Sequence, residues 1–250
     1  DSRYTLIAKQ SVHGFDLIET KDPLQDIVKI IEADKLETIG FDNQVSFAYY
    51  QGLQAIFEGY TLSPQSNFME ELRMIKDEKE LATIRKACSI SDRAFTDVLD
   101  FIKPGQTTEL QVANFLDFRM REYGASGISF ESIIASGYRS AMPHGVASEK
   151  VIQSGETLTM DFGCYYNHYV SDMTRTIHIG DTTDEEREIY DIVLRSNQAL
   201  IDAAKAGMVL TDEPGVYLAD KYGVRIEDDI IITENGCELI TLAPKELIVL

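Results

Sequence analysis

A run of eleven residues recurs in this sequence with an offset of 52 positions. Gly155 to Tyr165 and Gly207 to Tyr217 share, in the same order, a glycine, a leucine, a threonine, a carboxylate, a second glycine and a tyrosine. The shared carboxylate is Asp161 in the first copy and Glu213 in the second. Two related segments that each present an acidic side chain indicate a duplicated site that gathers carboxylates.

The first copy turns back to a second acid, Asp172, and so predicts an acidic hairpin. Asp161 and Asp172 are symmetric about residues 166–167, which predicts that they face each other across one antiparallel strand pair. Directly opposed side chains have Cβ atoms about 4.5–5.5 Å apart, and like charges at that distance destabilise a sheet unless a cation lies between them.

The second copy turns back to Glu227, which is symmetric with Glu213 about Asp220. Four carboxylates gathered by two hairpins balance the charge of two divalent cations. Oxygen ligands favour Mn²⁺ or Mg²⁺, with Zn²⁺ or Co²⁺ as alternatives if a histidine joins the set. Paired cations about 3.5–4 Å apart suit hydrolysis, since they generate hydroxide and stabilise an oxyanion. One such acid alone would indicate only a surface carboxylate, and the repeated pairing is what indicates a metal site.

Three further residues are candidates for supporting roles. Strand alternation places Thr174 on the face of Asp172, where its hydroxyl can orient a ligating carboxylate. Arg225 lies two residues before Glu227 and can hold a carboxylate through its planar fork. His144 lies in a constrained Met-Pro-His-Gly loop before the carboxylate strands, so we expect it to contact substrate or a reaction intermediate. The other histidines are expected to be structural or solvated: His13, His168 and His178.

The composition excludes several classes of function. The 250 residues carry 42 acidic and 23 basic side chains, and the net charge of −19 argues against nucleic acid as a partner. No apolar run approaches the roughly 18–20 residues that span a bilayer, so no membrane association is expected. The three cysteines are far apart and in no metal-ligand spacing, which predicts reduced core residues in a cytoplasmic protein: Cys88, Cys164 and Cys237.

The pattern around these motifs predicts two domains. Residues 1–67 alternate helix and strand, as part of a small α/β domain would, and Asp1 to Tyr4 is expected to be the end of a strand. Residues 68–250 form the larger domain, which Met69 to Lys79 opens as a charged connector. Apolar periodicity predicts helices over 77–102, 107–123 and 183–206, and strands over 132–136, 157–163, 169–179, 209–218, 223–233 and 238–241.

The repeat also indicates that a piece is missing. In the first half a helix ends at Gly105 and the hairpin begins only at Gly155, whereas in the second half Gly207 ends the helix and begins the hairpin. A helix, a strand and a loop equivalent to residues 106–154 are therefore absent at the Gly207–Met208 junction. Either the segment was deleted or the printed sequence omits it. We expect an omission, because losing a central strand would expose core surface and unpaired backbone groups.

These motifs resemble the metallopeptidases with the pita-bread fold, which include methionine aminopeptidase, prolidase and aminopeptidase P. The resemblance runs from about Glu71 to Leu250, and within the group it is closest to bacterial Xaa-Pro aminopeptidase. The α/β segment before it resembles the N-terminal domain of aminopeptidase P and prolidase, which methionine aminopeptidases lack. The motifs that carry the resemblance are Ser136-Gly137, Pro143 to Gly145, Met160 to Gly163, Ser171 to Thr176, Thr211 to Gly215 and Gly223 to Asp228.

The resemblance implies an α+β fold, with a pita-bread catalytic domain of pseudo-twofold repeat preceded by part of a small α/β domain. It implies a homodimer that uses two divalent metal ions, Mn²⁺ first among them, to release the N-terminal residue from peptides with proline in second position. Asp161 and Asp172 match one metal pair, and Glu227 matches a bridging ligand. Glu213 matches the ligand that also serves as general base, and His144 the histidine that contacts the substrate.

Two alternatives stay open from the sequence. The enzyme alternative is prolidase, which takes only Xaa-Pro dipeptides. The other is a binding protein that keeps the fold without catalysis. The family carries a glycine- and histidine-rich segment before the strand of Glu213, which supplies a fifth metal ligand and a substrate-binding histidine. That segment belongs to the absent stretch, so a true deletion would favour the binding protein, whereas retention of all four carboxylates favours the enzyme.

Overall fold

The computed structural model of the protein describes residues 3–203, 209–233 and 236–250. The chain divides into two compact units, Asp1–Leu72 and Arg73–Leu250, whereas the sequence placed the boundary between residues 67 and 68. None of the helices in the described ranges has the length and apolarity that a bilayer span requires.

The first unit is a small α/β arrangement. Its strands pair in parallel and one helix forms the crossover between them, which is the βαβ connection that parallel pairing requires. Ile31, Leu53 and Phe57 are the buried centre of its core. The elements are α1 (Thr5–Ser11), α2 (Pro23–Asp34), β1 (Thr38–Asp42), the crossover α3 (Phe47–Ile56), β2 (Thr61–Gln65) and α4 (Phe68–Met74), which runs into the second unit.

Two sequence predictions for this part of the chain are wrong. Arg3 and Tyr4 form a turn that leads into α1, where a strand end was expected, because Thr5–Ser11 is rich in the helix formers Leu, Ala, Lys and Gln. Asp1 and Ser2 lie outside the described residues. The expected connector begins instead as α4, whose acidic first turn and basic last turn suit the helix dipole.

The helices of the second unit confirm the periodicity of the sequence. They are α5 (Glu78–Phe101), α6 (Glu109–Glu122) and α7 (Asp184–Ala203). A capping box opens α5, in which Asp77 accepts from the backbone N–H of Glu80 while the Glu80 side chain accepts from that of Asp77. Thr108 and Gln111 form the same motif at the start of α6. These caps fix where each helix begins.

The described strands of the second unit form four small sheets, with orders β4-β5-β8, β3-β6-β7, β10-β11 and β13-β12-β9. A 3₁₀ helix, Gly137–Ala141, follows β4. The strands are β3 (Gly127–Ile128), β4 (Ile133–Ser136), β5 (Glu156–Phe162), β6 (Cys164–Tyr166), β7 (Tyr169–Val170), β8 (Met173–Ile179), β9 (Val209–Asp212), β10 (Gly215–Leu218), β11 (Tyr222–Arg225), β12 (Asp228–Thr233) and β13 (Gly236–Leu239).

The main core of the second unit involves α5, α6 and the β4-β5-β8 sheet. Phe95 of α5, Leu116 of α6, Met160 of β5 and Ile177 of β8 are all fully buried in one cluster. Every residue of β8 is buried, as is every residue of β5 after Glu156. The β5–β8 pair is therefore covered on both faces, and it forms a firm base for any residue at its ends.

The register of the first hairpin differs from the prediction. Asp161 lies opposite Thr174, and β6 with β7 continues the same alignment. The turn consists of Asn167 and His168, which both have positive φ, 46° and 72°, as a two-residue type I′ turn requires. The predicted direct opposition of Asp161 and Asp172 is wrong, because the centre of the hairpin lies one residue further along. Both carboxylates still share a face, since side chains two residues apart point the same way.

The register of the second hairpin agrees with the prediction. Gly215 pairs with Arg225, and the pairs are symmetric about Asp220, which has a φ of 60°. The alignment continues beyond Pro214, where Asp212 of β9 pairs with Asp228 of β12. β9 and β10 therefore act as one long strand that is interrupted at Glu213. It runs antiparallel to a second long strand, made of β11 and β12 and interrupted at Glu227.

The duplication is visible in the elements. Helix α5 and the β5–β8 pair correspond to α7 and the paired strands β9–β10 and β11–β12. In the first half β4 covers the other edge of β5, whereas β9 has β12 as its one strand partner in the described part of the chain. The Gly207–Met208 junction, where the sequence indicated a missing helix and strand, lies outside the described residues.

We expect Gly163→Ala to destabilise the protein by about 1–3 kcal/mol, because overpacking a close backbone approach has costs of that order. Gly163 lies between β5 and β6, where an added Cβ would overlap the carbonyl oxygen of Ser171 and crowd the hydroxyl of Ser129 at 2.5 Å. The matched control is Gly127→Ala in β3, where the new Cβ meets Arg121 at an ordinary 3.5 Å. Denaturant unfolding measures both, and equal stability of the two variants would contradict this packing account.

Candidate metal centre

Three carboxylates converge where the two hairpins meet. Asp161 lies in β5, Asp172 directly before β8, and Glu227 between β11 and β12. One ligand atom from each lies within 4.8 Å of the others. The hairpins are joined here by the backbone N–H of Glu227, which donates to the carbonyl oxygen of Thr174 at 3.0 Å. The ends of two strand pairs thus fix the positions of three acids.

Two oxygens of this group have no hydrogen-bond partner. Oδ1 of Asp161 and Oδ1 of Asp172 are buried and accept no hydrogen bond. By contrast, Oε2 of Glu227 accepts from the hydroxyl of Thr174 at 2.6 Å. Buried carboxylate oxygens are stable when paired or bound to a cation, and three carboxylates are a donor set that suits a hard divalent ion. The residues present therefore fit a divalent cation.

The group is electrostatically strained when no cation binds to it. Burial, then the charges of Asp161, Asp229 and Glu213, raises the pKa of Asp172 to about 7. Burial and the charge of Asp172 raise the pKa of Glu227 to about 9, against the hydrogen bond from Thr174. Because desolvation and like charges both disfavour ionisation, a bound cation would compete with protons for these carboxylates.

Among the described residues, Arg225 is the one cationic side chain that contacts a carboxylate of this group. Its Nη2 donates to Oδ2 of Asp161 in a short charged hydrogen bond, and its Nε donates to the hydroxyl of Thr174 at 2.9 Å. Its Nη1 donates to the hydroxyl of Tyr217 at 2.9 Å and to the carbonyl oxygen of Pro143 at 3.1 Å. Burial raises the pKa of Asp161, and the Arg225 charge opposes that rise. The guanidinium group of Arg225, which the sequence predicted to hold a carboxylate, therefore holds Asp161. It also connects Asp161 to the loop that carries His144.

Asp229 is a residue of the site that the sequence reasoning missed. Its Oδ2 accepts from the backbone N–H of Asp172 at 2.9 Å and from the thiol of Cys88 at 3.3 Å. Asp229 therefore fixes the backbone at Asp172 through this hydrogen bond. Strand alternation puts Asp229 on the same face as Glu227, and that spacing is the pattern that could have revealed it.

Arg175 supports the backbone of Glu227. It is fully buried and pairs with Asp228 at 2.7 Å, and its Nη1 donates to the carbonyl oxygen of Glu227 at 2.6 Å. Lys245 contacts the other oxygen of Asp228 at 2.9 Å. This buried ion pair fixes the segment that carries the third carboxylate. The sequence reasoning did not single out Arg175, although it lies inside the Ser171 to Thr176 motif.

Glu213 and His144 lie beside the group rather than in it. Glu213 is exposed between β9 and β10, so the structure does not bring it among the three acids, but its charge raises the pKa of Asp161, Asp172 and Glu227. His144 is exposed in the loop after the 3₁₀ helix, and its charge lowers the pKa of Asp161. Both therefore act on the carboxylates through their charge.

The fold and the carboxylate group together define a metal-dependent hydrolase of two duplicated halves. Comparison with known families agrees, since residues 82–207 and 202–234 match metallopeptidase family M24 and residues 1–75 match the creatinase/prolidase N-terminal domain. The chain belongs to metallopeptidase family M24. Its fold is the pita-bread fold, as the resemblance implied.

Relatives by sequence include peptidases from bacteria and archaea. An uncharacterized peptidase YqhT of Bacillus subtilis is 38% identical over 304 residues, covering 100% of this chain and 86% of that protein. A Xaa-Pro dipeptidase of Pyrococcus furiosus is 32% identical over 286 residues, covering 92% and 82%. The first alignment spans 304 positions although this chain has 250 residues, so at least 54 positions have no counterpart here.

Solved structures give the same family. The Xaa-Pro dipeptidase from Bacillus anthracis superposes with a TM-score of 0.95 at 35% identity, covering 99% of this chain and 84% of that one. The X-Pro aminopeptidase from Thermotoga maritima gives a TM-score of 0.91 at 32% identity, covering 100% and 84%. Both kinds of proline-directed peptidase therefore share this architecture.

We expect the metal-free protein to lose stability as pH rises from 5.5 to 8.5. Folded Asp172 and Glu227 keep protons up to pH about 7 and about 9, whereas in the unfolded chain they lose them near pH 4. The folded state thus binds more protons in this window, and its stability falls as pH rises.

Denaturant midpoints in the presence of a chelator measure this dependence, and the Asp172→Asn, Glu227→Gln double variant should show a flatter profile. Adding a divalent cation should raise the midpoint more at pH 8.5 than at pH 5.5, because binding competes with protons. A chelated wild-type protein that gains stability toward pH 8.5 would contradict the assignment.

Proposed function

We propose that the protein is a metal-dependent Xaa-Pro dipeptidase, which cleaves the bond between a first residue and a following proline. The observation that carries the proposal is the group of buried Asp161, half-buried Asp172 and buried Glu227, which has two buried oxygens without a hydrogen-bond partner, in a member of metallopeptidase family M24. The names of the Pyrococcus and Bacillus anthracis relatives favour the dipeptidase. The aminopeptidase expected first from the sequence is the second candidate, supported by the Thermotoga structure.

The proposed cofactor is a pair of divalent cations, with Mn²⁺ as the first candidate and Co²⁺ or Zn²⁺ as alternatives. When bound, such cations lower the pKa of water and stabilise an oxyanion. Asp161, Asp172 and Glu227 would hold them, and Glu213, whose charge acts on all three acids, would be the fourth ligand. Arg225 and Thr174 keep Asp161 and Glu227 in place through the hydrogen bonds described above.

The proposed roles of the remaining residues follow from where they lie. Glu213 takes the proton of the attacking water and delivers it to the proline nitrogen as that bond breaks, which is general acid–base catalysis. His144 donates a hydrogen bond to the oxygen of the scissile carbonyl as it gains negative charge. A bond to proline needs such a dedicated site, because its tertiary amide offers no N–H for binding. The homodimer implied by the resemblance stays a prediction.

We expect hydrolysis of Ala-Pro with added Mn²⁺, and Glu213→Gln should lower kcat by about 10²–10⁴-fold because it removes the proton carrier. Glu188→Gln, at an exposed position of α7, is the matched control and should keep full activity. Release of proline is measured by chromatography, with Ala-Pro-Ala as the second substrate. Faster cleavage of the tripeptide would replace the dipeptidase by the aminopeptidase, and metal binding without cleavage of either would favour the binding protein.

We also propose that the native protein carries a further segment at the Gly207–Met208 junction. Two findings support this: the 54 unmatched alignment positions, and the two family matches that meet at residues 202–207. The intact mass of the protein purified from its own source should then exceed 28.1 kDa by several kilodaltons. A mass of 28.1 kDa would show a true deletion, and would favour a binding protein with impaired catalysis.

A further inference from the structure

A buried carboxylate outside the metal centre lies at the first residue of α6. Glu109 is fully buried, with 0% of its surface exposed, and its side chain accepts five hydrogen bonds. Oε1 accepts from the backbone N–H and the hydroxyl of Ser136 at 2.7 and 2.9 Å. Oε2 accepts from Nε of Arg139 at 3.0 Å, and from the backbone N–H and hydroxyl of Ser148 at 3.2 and 2.6 Å. These five hydrogen bonds restrict the carboxylate of Glu109 to one orientation.

The donors to Glu109 lie at the two ends of one loop. Ser136 is the last residue of β4 and directly precedes the loop that carries His144. We call this loop the His144 loop and define it as residues 137–148, so that Ser148 is its last residue. Arg139 lies in the 3₁₀ helix inside it, and its Nη2 donates to the carbonyl oxygen of Val146 at 2.6 Å. Glu109 therefore ties the start of the His144 loop to its end, directly and through Arg139.

The far side of the His144 loop is held against the second hairpin. Nη1 of Arg225 donates to the carbonyl oxygen of Pro143 at 3.1 Å, and the hydroxyl of Ser140 accepts from the backbone N–H of Gly223 at 2.8 Å. A Cβ on Gly145 would approach Ala135, Arg139 and Met142 at 3.1–3.2 Å, so the turn itself is closely packed. The His144 loop is thus fixed both at its base and at its tip.

We propose that Glu109 is a positioning residue for the peptidase reaction, because it fixes the base of the loop that presents His144 to the substrate. The proposal rests on the function proposed above. Glu109 accepts its hydrogen bonds from Ser136, Arg139 and Ser148, none of which is a carboxylate of the metal centre. Its effect on the reaction therefore passes through His144, at the edge of the site.

Glu109→Gln tests this with little change of volume. A glutamine keeps one acceptor oxygen and turns the other into an NH₂ donor, which must then face either the donors of Ser136 or those of Arg139 and Ser148. One end of the loop is released in either case. Asp97→Asn is the matched control, since it breaks an ion pair with Arg119 between α5 and α6 away from the loop. Ser148→Ala removes one donor without unpairing a buried charge, and replaces Glu109→Gln if that variant does not fold.

The first readout is a double-mutant cycle with His144→Ala on Xaa-Pro hydrolysis. We expect Glu109→Gln to lower kcat on the order of 100-fold, as a misplaced catalytic group does, with a smaller change in KM, and Asp97→Asn to keep wild-type kinetics. In the His144→Ala background, Glu109→Gln should have no further effect, because coupled residues are not additive. Losses that multiply would show a general structural role and overturn the proposal.

The second readout does not depend on activity. Hydrogen exchange of the amides in residues 137–148 should accelerate in Glu109→Gln and stay at the wild-type rate in Asp97→Asn. Unchanged exchange in the Glu109 variant would overturn the proposal even if its activity fell. If the wild-type protein cleaves neither substrate, the proposed function has failed, and local acceleration in this loop would still support the positioning by Glu109.

Discussion

The second unit is organised around one electrostatic constraint, which is that carboxylates of like charge lie together away from water. Asp161, Asp172 and Glu227 repel one another and lose solvation, and both effects disfavour the ionised carboxylates. The surrounding structure resists this in several ways. Arg225 offsets the charge of Asp161, a hydroxyl satisfies Glu227, and the fully covered β5–β8 pair prevents the strand ends from separating.

Positive charge is distributed around the group rather than within it. Arg175 and Lys245 both contact Asp228, the direct neighbour of Glu227, so an ion pair anchors the backbone while leaving the ligating carboxylate itself unneutralised. Arg225 similarly occupies one oxygen of Asp161 and leaves the other without a partner. An arrangement that consumed every oxygen internally would be more stable without metal and would have nothing to offer to a cation.

Much of this could be predicted from the sequence, since a repeat and a hairpin symmetry are local properties of a chain. The second hairpin was placed correctly because the turn around Asp220 gives it a clear centre. The first was misplaced by one residue in its centre, because its turn is Asn167-His168 and lacks the glycine that usually marks a type I′ turn in a sequence. The role of Glu109 could not be predicted, since its partners are distant in sequence and burial decides what the carboxylate does. The spacing of Asp229 from Glu227 could indicate a shared face, but not its hydrogen bond to the backbone of Asp172. The exposed position of Glu213 likewise depends on how the strand is interrupted at Pro214.

The distribution of the three acids along the chain has a consequence for how the molecule folds. Asp161 and Asp172 belong to one local hairpin, whereas Glu227 lies in the other half of the unit, beyond α7 in the chain, and local contacts generally form before distant ones. While the first hairpin is still hydrated, its two acids repel each other weakly, because water screens them. The repulsion between the acids rises only when the second hairpin docks and water leaves the site. The free-energy barrier that this repulsion creates therefore comes late in folding. A cation captured by the early pair would lower that late barrier, and the ion would then guide assembly of the halves as well as serve the finished site.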